Sequence, residues 1–241
     1  MKSIAIRLGL VAALASPTLM AGQQVGHDDM QPFSTPVHDW IWNARPHFSY
    51  HHGCYAYPAV DQQGNWGGGL RTTGAPDGSC DNASFLQTYT RAEWITDNSF
   101  PGAAMAIMYA QYMPKDQGKR WIGWGGHRHE WEEVVVFVDS NGYAIKAAAS
   151  YHGDYQKMSR SNGQYWDGNR IKIWYGTQSY FRNNSFHFST GTGVSPPMVD
   201  WHDMDSSYRQ RVRDAITHTN WGGPTAKLTD GRFWDKVREA W

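Results

Sequence analysis

Seven consecutive residues of this 241-residue chain, His127 to Glu133, hold two histidines and three carboxylates: His-Arg-His-Glu-Trp-Glu-Glu. Asp116 lies a short way upstream, after Pro114 and Lys115, at an expected loop. Asp116, His127, Glu130 and Glu132 together offer mostly oxygen donors with one imidazole. Such a set suits a hard divalent cation, Mg²⁺, Ca²⁺ or Mn²⁺, better than structural zinc, and it would leave coordination positions to water. The same residues also fit a solvated, salt-bridged sheet surface, and spacing by itself leaves both readings open. The two histidines are two apart, so this is not the helical HExxH pattern of zinc peptidases. There is no GxSxG nucleophile elbow, and neither cysteine sits in a nucleophile context.

A strand must carry this cluster. Trp131 to Asp139 (WEEVVVFVD) is dense in valine, Asn141-Gly142 is a strong hairpin-turn pair, and Tyr143 to Tyr151 returns as the partner strand. In a strict strand His127 and His129 point one way while Glu130 and Glu132 point the other. A turn or bulge near Gly125-Gly126 would bring His127 round to the carboxylate side. Ala103 to Tyr112 is apolar, with helix and strand both open, and Pro114 is expected to break it. Further strands are expected within residues 85–97, at Arg170 to Tyr175 and at Ser185 to Ser189. Two amphipathic helices follow. Ser206 to His218 groups Tyr208, Val212, Ala215 and Ile216 on one face, and Thr229 to Trp241 groups Phe233, Val237 and Trp241. Residues 22–50 read as an extended lead-in, and His47, His51 and His52 as a minor surface metal site. The sum is a mainly β (α+β) chain, a single antiparallel core with helices outside, undivided by any linker.

Composition narrows the function classes. Lys+Arg and Asp+Glu number 22 each, without the basic excess usual in nucleic-acid binders. Thirteen Trp and thirteen Tyr argue for an ordered core. Lys2 and Arg7, the apolar run Leu8 to Leu14 and the small residues at Leu19-Met20-Ala21 form a signal peptide, 1–21, with cleavage after Ala21 or alternatively Ala15. Its removal leaves 20 basic against 22 acidic residues, so bulk attraction to anionic lipid is not expected to draw the protein to a membrane. In an exported chain the two cysteines, Cys54 and Cys80, read as one disulfide closing a glycine-rich loop, worth about 3 kcal/mol in the chain-entropy treatment.

Gly-His-Arg-His-Glu-Trp-Glu (126–132) resembles the signature heptapeptide of the necrosis- and ethylene-inducing peptide-like proteins, or NLPs. Ala106 to Asp116 (AIMYAQYMPKD) is similar to the family's second motif. His27 to Phe33, Cys54 to Asp61 and Gly68 to Cys80 are similar to its N-terminal blocks, and Asn220 to Gly223 to its C-terminal end. The resemblance covers nearly all of the chain after the leader.

It implies a β-sandwich flanked by helices, similar to actinoporin and fungal-lectin cytolysins, occupying residues 22–241. The single Cys54–Cys80 pair is similar to the type 1 subgroup, which depends on Mg²⁺ or Ca²⁺. The metal residues carry over as Asp116, His127, Glu130 and Glu132, with Glu130 standing where many members have Asp. His187, with His129 and Trp131, carries over to the sugar-binding region, and no residue is catalytic. The implied function is a secreted, metal-dependent, monomeric cytolysin. It would act on plant plasma membranes, mainly of eudicots, by binding the headgroups of glycosyl inositol phosphorylceramide sphingolipids. Cytolytic relatives carry a Trp in the loop before the histidine matched to His187. Here Tyr180 to Phe186 holds Tyr180, Phe181 and Phe186 and no Trp. The alternative is therefore a non-lytic headgroup lectin, or an elicitor seen by a plant immune receptor.

Overall fold

The computed structural model describes residues 22–118, 126–177, 183–205 and 209–241. The expected signal peptide, Gly125, the loop aromatics Tyr180 and Phe181, and the expected helix start at Ser206 to Tyr208 lie outside them. Among the described residues, twelve strands and three α-helices follow along the chain: β1 (Gln24–Val25), α1 (Asp39–Ala44), β2 (His47–His51), β3 (Trp66–Gly67), β4 (Thr88–Trp94), β5 (Met105–Asp116), β6 (His127–Val138), β7 (Ala144–Tyr151), β8 (Asp154–Ser159), β9 (Trp166–Asp167), β10 (Arg170–Gly176), β11 (Ser185–Phe188), β12 (Met198–Asp200), α2 (Arg209–His218) and α3 (Phe233–Ala240).

The chain is mainly β and builds a sandwich. Its larger sheet runs β12-β4-β5-β6-β7-β8, and the facing one runs β11-β10-β2, with β9 beside β10. Strands β10 and β11 pack across β6 and β7. The expected antiparallel character holds through the central ladder, but β12 on β4, β2 on β10 and β1 on β3 are parallel pairs. Val134 to Val138 are completely buried, as are Ala147 to Ala149 opposite them. That continuous apolar run fits a strand covered on both faces. α3 packs against β7 and β8, burying Phe233, Val237 and Ala240, and Trp241 then sets its ring edge on Phe100 and Phe137. The Cys54–Cys80 disulfide is formed, and both cysteines are buried.

Three local expectations change. Pro114 does not end β5, which continues to Asp116. Having no N–H, Pro114 stands where the ladder lacks a rung, while its carbonyl accepts from Leu70 N at 2.8 Å. The turn at Asn141-Gly142 is longer than two residues, and Asp139 Oδ1 organises it by accepting from Asn141 N and Tyr143 N. Residues 22–50 are not merely a lead-in: they hold α1 and β2, and β2 completes the second sheet beside β10. His47 is buried there, with Nε2 3.0 Å from Asp167 and Nδ1 3.3 Å from the Gly193 carbonyl, which removes it from a surface metal site.

Candidate metal centre and its cavity

The long hairpin ladder of β5 and β6 ends with Asp116 paired to His127, while Met113 pairs with Glu130 and Gln111 with Glu132. Strict alternation would put Asp116 and His127 on the opposite face from the two glutamates. The missing rung, Pro114 opposite His129, is where alternation fails. His129 has φ 63°, a left-handed value uncommon in a non-glycine residue. The reversal expected at Gly125-Gly126 thus falls at His129, three or four residues later. Gly126 adapts as well, at φ 104°, where a Cβ would lie 2.4 Å from the Asp116 carbonyl oxygen.

As a result Asp116, His127 and Glu130 present ligand atoms that all lie within 4.8 Å of one another. His127 Nε2 is 3.3 Å from Glu130 Oε2 and 3.8 Å from Asp116 Oδ2. His127 Nδ1 lies 2.8 Å from the carbonyl of His129, which can only accept, so Nδ1 carries the proton. In the neutral ring the Nε2 lone pair then faces two carboxylates, an arrangement that calls for a cation. Asp116 is fully buried. Its Oδ1 accepts from Asn184 N at 2.9 Å, but its Oδ2 accepts no hydrogen bond. The buried Tyr175 hydroxyl beside it also lacks a well-formed hydrogen bond, although it is near enough to favour the carboxylate form. An orphaned carboxylate oxygen this deep is costly unless a cation faces it.

Glu132 joins the same wall rather than the three-residue cluster. It is buried and accepts a hydrogen bond from the Ser150 hydroxyl, which in turn accepts from Glu133 N at 2.9 Å. Burial, Asp116 and Glu133 raise the Glu130 carboxyl well above the usual range, and burial and Glu130 do the same to Glu132. Burial brings Asp116 up to about 6. Three crowded acids that hold protons must give them up to a dication. Metal affinity is therefore expected to rise at least tenfold between pH 5.5 and 7.5. Calorimetry in buffers of different ionisation enthalpy should register about one proton or more released per ion. An affinity flat across that range would mean the ion binds elsewhere.

A cavity of about 480 Å³ opens beside the cluster, walled by Asp116, His127, Glu130, Trp131, Glu132 and Lys227. The β7–β8 turn and the Gly222 to Pro224 segment complete its rim. Of the three residues expected at a sugar site, the structure brings Trp131 to this wall. His129 turns away: its ring is buried, with Nδ1 2.6 Å from the Tyr112 hydroxyl and an edge contact to Trp221. Burial holds its pKa down at about 4. His187 is buried and not among the cavity's lining residues; it stacks on Trp174 at 4.2 Å, with Nε2 3.2 Å from the Gly176 carbonyl. Reading the sequence missed Ser150, Asn184 and Lys227. Their positions depend on the pairing of β7 with β6 and on a chain return of more than sixty residues, and no local motif signals either.

The chain resembles known proteins in sequence and fold. Residues 41–240 match the family described as necrosis inducing protein (NPP1). NLP effector protein 10 of Phytophthora capsici is 31% identical over 242 residues, spanning 96% of this chain and 97% of that protein. The solved structure of necrosis and ethylene inducing protein 2, from the causal agent of cocoa's witches' broom disease, superimposes with a TM-score of 0.80. It is 32% identical and covers 92% of this chain and 99% of its own. NLPPya in complex with mannosamine superimposes with a TM-score of 0.78 at 32% identity, covering 90% of this chain and 99% of its own.

Proposed function

The chain belongs to the necrosis inducing protein (NPP1) family, and from that premise we propose that it is a secreted, metal-dependent cytolysin of plant cells. In this reading residues 1–21 are removed on export and residues 22–241 act as one monomeric domain. Asp116, His127, Glu130 and Glu132 hold Mg²⁺ or Ca²⁺. The ligand is the sugar headgroup of glycosyl inositol phosphorylceramide in the plasma membrane, chiefly of eudicots. The observation that carries the reading is the buried, unpartnered Asp116 Oδ2 facing His127 and Glu130 at the edge of an open cavity. A relative solved with mannosamine supports a sugar as the ligand class.

A hard cation held here supplies a Lewis-acid point that sugar hydroxyls can join in place of water. The chain's own groups do the rest. Asn184 N holds one Asp116 oxygen and Ser150 holds Glu132, so the carboxylates are oriented before any ligand arrives. Lys227 lines the same cavity and offers a donor there. Nothing in this scheme breaks a covalent bond, and no residue is assigned a catalytic role. His187 would act indirectly, by fixing Trp174, while His129 fixes Tyr112.

The absence of Trp from residues 180–186 favours a second reading, a non-lytic headgroup lectin or an elicitor recognised by a plant immune receptor. Dye release from eudicot plasma-membrane vesicles separates the two. The first reading expects release in millimolar Mg²⁺ or Ca²⁺ that excess chelator stops. Metal-dependent vesicle binding without release would select the second, and release undiminished by chelator would refute the metal dependence.

A further inference from the structure

A second cavity, about 610 Å³, lies between the β1–β3 segment and α2 with its following turn, and none of its lining residues belongs to the metal cavity. Trp66, half-buried, provides an indole, Gln24 and Asn220 provide side-chain amides, and Arg211 and Asp214 provide charge. Arg211 is the unusual member. Its Nε is buried without an acceptor, and the guanidinium makes no hydrogen bond or ion pair with any described residue. Two residues further along α2, Arg213 pairs with Asp230 at 2.8 Å. Leaving a buried guanidinium N–H unpaired is costly. The chain also makes room for this arrangement. Gly64, at φ 83°, lies where a Cβ would meet Arg211 Cβ at 2.9 Å, so the glycine lets the loop close onto the helix and form the cavity floor.

We infer that this second cavity binds an acidic saccharide, with a uronate ring lying on Trp66 and its carboxylate held by Arg211. The planar guanidinium fork matches a carboxylate in two parallel hydrogen bonds. The apolar face of a pyranose suits an indole, while Gln24, Asn220 and Asp214 offer donors and acceptors to ring hydroxyls. Arg211 is the one arginine or lysine among the lining residues, which also include His218, and Asp214 one helical turn away favours a monoanion over a doubly charged phosphate. Trp221 separates the two cavities: Thr219 and Asn220 line this one, Gly222 and Gly223 line the other, and the buried Trp221 ring sits against Trp131. The inference does not depend on the proposed cytolytic function.

The test is titration of the purified protein, in chelator, with trigalacturonate and with its fully methyl-esterified form, followed by tryptophan fluorescence and calorimetry. Saturable binding of the acid is expected, at least tenfold weaker for the ester and at least tenfold weaker in Arg211→Gln. Asp116→Asn should bind as wild type. No saturable binding, equal affinity for the ester, indifference to Arg211→Gln in a folded variant, or loss in Asp116→Asn would each overturn the inference. The ester comparison uses the unaltered chain, so it decides even if Arg211→Gln fails to fold.

Discussion

Asp116→Asn and Glu132→Gln are each expected to abolish saturable Mg²⁺ and Ca²⁺ binding, and with it vesicle lysis, while making the metal-free protein more stable. The first effect follows from charge. Each change removes an anionic ligand from a hard-cation site, and a loss of 100-fold or more in affinity is expected, about 2.7 kcal/mol. The second effect follows from crowding. Asp116, Glu130 and Glu132 are buried beside one another, and the charge on one raises the cost of ionising its neighbours. At pH 8 in chelator the folded state bears that repulsion, and an isosteric amide relieves it. Asn at 116 keeps the acceptor for Asn184 N, and Gln at 132 keeps one for the Ser150 hydroxyl, so the fold retains its local bonds. Thermal melts check both effects. Wild type should gain roughly 2.7 kcal/mol at a metal concentration one hundred times its Kd. The variants should start at or above the wild-type chelator melt and gain nothing from metal. Variants that melt lower in chelator yet still respond to Mg²⁺ would mean that these carboxylates are structural and the ion lies elsewhere.

The sandwich was legible wherever a local pattern carries the information. Val134 to Val138 announce a fully covered strand, and Phe233, Val237 and Trp241 announce a short amphipathic helix, because burial on one strand or one helix face needs only neighbours in sequence. The ligand types were legible for a similar reason: Asp116, His127, Glu130 and Glu132 are the only arrangement of acids and imidazole dense enough in that region to attract notice. How they meet was not. Alternation along an extended chain separates His127 from Glu130, and what reunites them is a left-handed backbone at His129 opposite a proline that cannot complete the ladder. A histidine at positive φ has no sequence signal, because the surrounding packing imposes it. The role of residues 47–51 was hidden too, since β2 pairs in parallel with residues more than 120 positions away.

That packing points to Trp221 as the residue whose loss should cost the most stability. Its ring is buried and meets Tyr112, His129 and Trp131 at centroid distances of 5.3, 5.4 and 5.7 Å, and its Nε1 donates to the Ile216 carbonyl at 3.1 Å. Trp221→Ala is expected to cost about 3–5 kcal/mol, and the melting temperature should fall by roughly 10 °C. The consequence for the site runs through His129. Its ring is kept neutral by burial, with its pKa near 4, and its carbonyl fixes the Nδ1 proton of His127. With the indole gone, water reaches the His129 ring and its pKa should climb toward 6.5, read directly by NMR titration of the histidine signals. The sign for stability is definite. A folded-state pKa below the unfolded value means that the unfolded chain binds the extra proton between pH 6.5 and 4, so wild-type stability falls as pH drops through that window. In Trp221→Ala this slope should shrink. Metal affinity should also fall, by 10-fold or somewhat more, because an outer-shell support of His127 has been loosened rather than a ligand removed. A variant that lost 3–5 kcal/mol yet kept full metal affinity and a His129 pKa near 4 would show that the left-handed turn at His129 holds itself, without the aromatic wall behind it.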